Sequence, residues 1–139
     1  MQAQVKWVDG MRFVGRSASG HSITMDTSEQ YGGSGSAPSP MEMVLMSVGG
    51  CSSIDVVSML KKARQDVIDC EVELSSERAD AVPAIFTKIH LHFVVTGRDL
   101  SEAQVKRAVE LSADKYCSVS IMLGNGGVEV THSHEVKSI

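Results

Sequence analysis

The residues of this chain most able to do chemistry are its three cysteines, Cys51, Cys70 and Cys117. An odd number of thiols argues against a secreted disulfide framework. A thiol in a reducing compartment is either a small buried hydrophobe or a reactive group. Cys70 alternates with Ile68 and Val72 and reads as a core residue on a strand. Cys51 follows Gly49-Gly50 and precedes Ser52, Ser53 and Asp55, a composition that suits the first turn of a restarted helix. There the partial positive charge of the helix N-terminus would favour the thiolate, the nucleophilic form. The same run of small residues also suits a plain helix crossing, and spacing leaves both readings open. Cys117 falls where one helical pattern ends and another begins. Alone it reads as structural; beside Cys51 it could serve as a resolving thiol.

The histidines offer a different chemistry. His90-Leu91-His92 and His132-Ser133-His134 each place two imidazoles on one face of a strand. Two such pairs on neighbouring strands could hold a transition metal. Without an acidic or cysteine partner to complete the set, the expectation is solvent-facing histidines and no metal. Met41, Met43, Met46 and Met59 cluster in sequence around Cys51. They could line an apolar pocket, or serve as adaptable core filler.

The elements that position these groups are legible from periodicity. Residues 2–26 read as a β-meander, with Asp9-Gly10 and Ser19-Gly20 as turns. Residues 27–39 are rich in glycine, serine and proline and form a long loop. Ser39-Pro40-Met41-Glu42 is a capping box with proline at the first helical position. The helix that follows is apolar nearly all round as far as Lys61-Lys62, which predicts burial in the core or in a subunit interface. Gly49-Gly50 should bend it or admit another backbone. Period-two patterns mark strands from Ile68 to Leu74 and from Ile85 to Val95, with a turn or loop over 76–83. Ser101-Glu102-Ala103-Gln104 is a second capping box, with Leu100 and Val105 placed as a hydrophobic staple, and its helix should run to about Tyr116. A short helix from Cys117 and a final strand over 128–136 complete the chain. The order β-β-β-α-β-β-α-β, with segregated helices, is α+β. The long apolar helix is too hydrophobic for one small sheet to cover, so a homodimer is expected.

Length and composition bound the rest. A chain of 139 residues suits one domain over 1–139 and can bury a core without staples. A net charge of −4 argues against a nucleic-acid or anionic-membrane partner. Met1 to Gly10 carries no apolar signal-peptide core, so a cytoplasmic address is expected.

Three segments carry a family resemblance. Pro38-Ser39-Pro40-Met41-Glu42-Met43-Val44-Leu45, Gly49-Gly50-Cys51 and Tyr116-Cys117-Ser118-Val119-Ser120 resemble the two cysteine segments of the OsmC/Ohr family (osmotically inducible and organic hydroperoxide resistance proteins). The Val5-Lys6-Trp7 opening, the length and the element order fit as well, and the YhfA-type branch is the nearest in pattern. The resemblance implies an intertwined homodimer of antiparallel or mixed sheets around long central helices. It implies a thiol peroxidase in oxidative stress defence, in which Cys51 attacks an organic hydroperoxide, or less well hydrogen peroxide, and Cys117 closes a disulfide. A dithiol reductant such as a lipoyl protein would reset the pair, and no cofactor or metal is required. The family's arginine would be Arg12 or Arg16. Its glutamate position is Met41 here. Glu42 stands one residue later, about 100° round the helix, and suffices as the capping-box acid. That departure keeps a second reading open: a redox-sensing or small-ligand-binding protein on the same fold.

Overall fold

The computed structural model describes residues 1–139. The chain divides into two compact units, Met1–Val44 and Leu45–Ile139.

The first unit is a meander of β1 (Ala3–Asp9), β2 (Arg12–Ser17) and β3 (Ser22–Met25), all antiparallel in that order. Gly10 turns the first hairpin at φ +48, a backbone conformation that side chains with a Cβ rarely adopt. The loop after β3 is organised around one carboxylate. Asp26 is buried and accepts from the backbone N–H groups of Thr27, Ser34 and Ser36 and from the hydroxyls of Ser34 and Ser36. Gly33 fits there because a Cβ would lie 2.0 Å from the Thr27 carbonyl oxygen.

Helix α1 (Pro40–Lys62) opens with the expected reciprocal cap: Ser39 N–H donates to Glu42 Oε1 at 3.1 Å, and Glu42 N–H donates to Ser39 Oγ at 3.2 Å. It runs unbroken through Gly49-Gly50, with no interruption of the helix there. Gly49 instead meets the neighbouring strand, where an added Cβ would sit 2.7 Å from Leu74 Cδ1 and 3.2 Å from Val72 Cγ1.

The second unit lays α1 from Leu45 onward against the sheet β4 (Asp66–Arg78), β5 (Phe86–Arg98) and β6 (Glu129–Ser138). β4 pairs antiparallel with β5, and β6 pairs parallel to β5. A parallel neighbour requires a crossover, supplied by α2 (Glu102–Leu111), a π-helical turn over Ser112–Tyr116 and α3 (Ser118–Asn125). The expected single helix to Tyr116 therefore ends at Leu111. Ser101 caps α2 by accepting from Gln104 N–H. The core is Val48, Val56 and Leu60 of α1, Ile89, Leu91, Phe93 and Val95 of β5, and Val105 and Val109 of α2. β4 is longer than its periodicity suggested and reaches Arg78. Its register shifts between Val67 and Asp69, which leaves Ile68 47 % exposed instead of on the buried face.

By length and hydropathy alone α1 could cross a membrane. Its buried residues pack within the fold: Gly49 against β4 and Ser52 against Cys117 of the crossover. The expectation of full burial does not hold within one chain: Met46 is 48 % and Ile54 71 % exposed.

Candidate thiol site

Within the second unit, α1 and the start of α3 bring two of the three cysteines together. The sulfurs of Cys51 and Cys117 and a carboxylate oxygen of Asp55 all lie within 4.8 Å of one another. Cys51 and Asp55 are one turn apart on α1, the spacing that puts two side chains on the same helix face. Cys117 arrives from the crossover as the N-cap of α3.

Three buried serines fix this cluster. Ser52 Oγ donates to Cys117 Sγ at 3.1 Å, and Ser120 N–H donates to the same sulfur at 3.4 Å. Ser112 Oγ lies 3.1 Å from Asp55 Oδ2 and 3.3 Å from the Ser52 carbonyl oxygen. Ser112 also accepts, through its carbonyl, from Cys117 N–H at 2.8 Å. The π-turn thus ties Cys117 and Asp55 to one residue.

Cys51 does not occupy the helix start that its sequence context suggested. It lies in the middle of the continuous α1, where the macrodipole has little effect. Cys117 holds the helix start expected of it, as the N-cap of α3. Burial pushes the Cys117 thiol up, the Ser52 and Ser120 donors oppose this, and the neighbouring Cys51 adds to it. Cys51 is half-buried, whereas Cys117 is fully buried.

The other candidates separate. Cys70 is half-buried on β4, and burial followed by the Asp69 charge raises its thiol. Glu42 is held in its capping box, and its bonds to Ser39 lower its carboxyl. In the first unit Arg12 forks onto the Asp9 carboxylate, and Arg16 stands exposed on β2. The histidine pairs fall on opposite faces of their sheet. His90 and His92 both reach Ser133 Oγ, at 2.9 and 2.7 Å. His132 pairs in register with Leu91, on the core-facing side, and His134 pairs with Phe93 and reaches Glu102 on α2. Four imidazoles on two faces cannot ligate one ion. From sequence, Ser52 and Asp55 read only as the composition of a helix start, and Ser112 had no part in the site. The Cys51–Asp55 spacing was the available signal.

Beside the cluster, an open pocket of about 640 Å³ lies between α1 and α2. Asp55, Met59, Leu111 and Tyr116 line it together with the cations Lys62 and Arg107.

Residues 33–133 match the family model for OsmC-like proteins. The chain belongs to the OsmC-like family. Among OsmC-like relatives, the YhfA protein of Escherichia coli K12 is 64% identical over 137 residues, covering 98% of each chain. A solved structure from Aquifex aeolicus is 30% identical, with a TM-score of 0.86 over 99% of this chain and 96% of its own. The organic hydroperoxide resistance protein OsmC of Legionella pneumophila shares the fold at 17% identity, with a TM-score of 0.72 over 96% and 95% of the two chains. The mixed α+β architecture of this chain is therefore that of the OsmC/Ohr fold.

Proposed function

We propose that this protein is a cysteine-dependent peroxidase for organic hydroperoxides, working in the cytoplasm as a homodimer in oxidative stress defence. The observation that carries this reading is the approach of Cys51 and Cys117, distant in sequence, within one 4.8 Å cluster. Their unequal exposure suits unequal roles. The accessible Cys51 meets the peroxide. Its thiolate attacks the terminal oxygen, an S–O bond forms, the O–O bond breaks, and the alkoxide leaves as alcohol after taking a proton. The buried Cys117, whose thiol is pushed up, keeps its proton until the sulfenic acid is in place. It then attacks the Cys51 sulfur and releases water as the disulfide closes. A dithiol reductant, such as a lipoyl protein, resets the pair by exchange.

The dimer accounts for apolar surface that one chain leaves in water: Met46 and Ile54 on α1, and Val5, Trp7 and Ile23 in the meander.

A stopped-flow measurement of Cys51 oxidation by cumene hydroperoxide and by hydrogen peroxide tests the enzyme reading. Fast oxidation with preference for the organic peroxide, and a sulfenic acid trapped in Cys117→Ser, is the expected result. Oxidation no faster than that of a free thiol would reject it. A second reading, capture of a small apolar ligand or electrophile, rests on the pocket lined by Met59, Leu111 and Tyr116. For a non-covalent apolar ligand it predicts ligand-dependent melting shifts that survive Cys51→Ser, and for an electrophile a covalent mass increase that Cys51→Ser abolishes.

A further inference from the structure

We propose that Cys51, Asp55 and Cys117 form a zinc site, with one coordination position left to water or an exogenous ligand. Two sulfurs and a carboxylate oxygen within 4.8 Å of one another are close to a metal's ligand shell. Zn–S and Zn–O bonds of about 2.3 and 2.0–2.2 Å imply ligand-to-ligand edges of about 3.5–4 Å in a tetrahedron. Closing the shell requires movements of about 1 Å, within reach of side-chain rotation.

The donor set selects the metal. Two thiolates disfavour the hard cations magnesium and calcium, and a carboxylate disfavours monovalent copper. The hydrogen bonds around the cluster have the pattern that orients metal ligands. Ser112 Oγ holds Asp55 Oδ2, and Ser52 Oγ and Ser120 N–H both donate to the Cys117 sulfur. None of the protein's ion pairs includes Asp55. Three groups that become anions are thus packed together, and Asp55 has no cationic side chain bound to it. Such a cluster is neutralised either by protons on the thiols or by a divalent ion. Cys51 and Asp55 are only half-buried, so solvent reaches the open side of the site.

Zinc and a disulfide would then exclude each other, because both use the same two sulfurs. Peroxide takes two electrons from the zinc-bound thiolates. With two protons from solvent, the products are the disulfide, an alcohol, water and free zinc. This release rests on the peroxidase reading; zinc binding itself does not.

The test uses the full chain, reduced and stripped of metal, with zinc alone as the probe and a chromophoric chelator as competitor. The expected result is one zinc per chain, with affinity at least tenfold weaker in Asp55→Asn and in Cys51→Ser. Both variants change partly accessible side chains, and unchanged melting profiles would show that they fold. Cobalt in place of zinc should give a thiolate-to-metal charge-transfer band that Cys51→Ser reduces. Equal zinc affinity in wild type and both variants would overturn the proposal, as would a reduced wild-type chain that retains no zinc. Zinc binding without release by cumene hydroperoxide would support the site and count against the peroxidase reading alone.

Discussion

The Ser52 hydroxyl donates to the Cys117 sulfur at 3.1 Å, and Ser52 is only 2 % exposed. This bond opposes the burial that pushes the Cys117 thiol up. Replacing Ser52 with alanine should raise that thiol further and slow Cys117 alkylation, followed by mass spectrometry in a Cys51→Ser background. The lost bond should also cost about 1 kcal/mol in urea unfolding. An alkylation rate that does not change would remove Ser52 from the site.

Burial of Cys117 and Cys70 also sets an alkaline limit. Both thiols are raised above the ordinary 9.0 in the folded chain. Their protonated forms are therefore favoured by folding. That contribution is complete below the unfolded value and is lost as pH rises through the folded values. Melting temperature should fall above about pH 9, and less steeply in Cys70→Ala. A slope indifferent to both cysteines would assign the alkaline loss elsewhere.

Asp26 should govern the acid side of the first unit. Five donors from Thr27, Ser34 and Ser36 hold its carboxyl far below the ordinary 3.8. A depressed carboxyl gives stability that is present above the unfolded value and is lost as pH falls below it. Asp26→Asn places an amide donor among donors. It should lower the urea midpoint at neutral pH and flatten the decline below pH 3.8. Hydrogen exchange of the Ser34 and Ser36 amides is the direct readout, and full protection in the variant would refute the role.

Gly49 should tolerate no larger residue. Its missing Cβ leaves room for Leu74 and Val72 to close against α1. Gly49→Val should destabilise by about 1–3 kcal/mol through overpacking, measured by urea unfolding. A neutral effect would show that Leu74 swings aside freely.

Ile54 should report on assembly. It is 71 % exposed on a helix apolar nearly all round. If a second copy covers it, Ile54→Glu should convert a dimer into a species of 14.9 kDa in light scattering. A wild-type chain already at that mass would reject the dimer.

Local patterns were legible because their causes are local. The Ser39–Glu42 and Ser101–Gln104 caps depend on residues three apart; the first formed reciprocally, and the second formed by half, with the Ser101 N–H donating to Gln65 Oε1 instead. The alternation from Ile89 to Val95 gave the buried face of β5, since side chains of a strand must alternate. The α+β class followed from such patterns, while the joint role of Cys51 and Cys117 was implied by the resemblance of their two segments to the OsmC/Ohr family. Tertiary packing decided the rest. Gly49-Gly50 looked like a break in the helix, but Gly49 lets Val72 and Leu74 of β4 close on α1, while Gly50 faces open space. Cys51 therefore lost its helix start, whereas Cys117 kept the one its sequence context implies. The histidine pairs looked alike in sequence, yet the parallel register of β6 against β5 put them on opposite faces. Asp55 entered the site through Ser112, which the crossover brings back onto α1. Periodicity fixes which side of an element a residue occupies, but what stands opposite depends on how the elements pack.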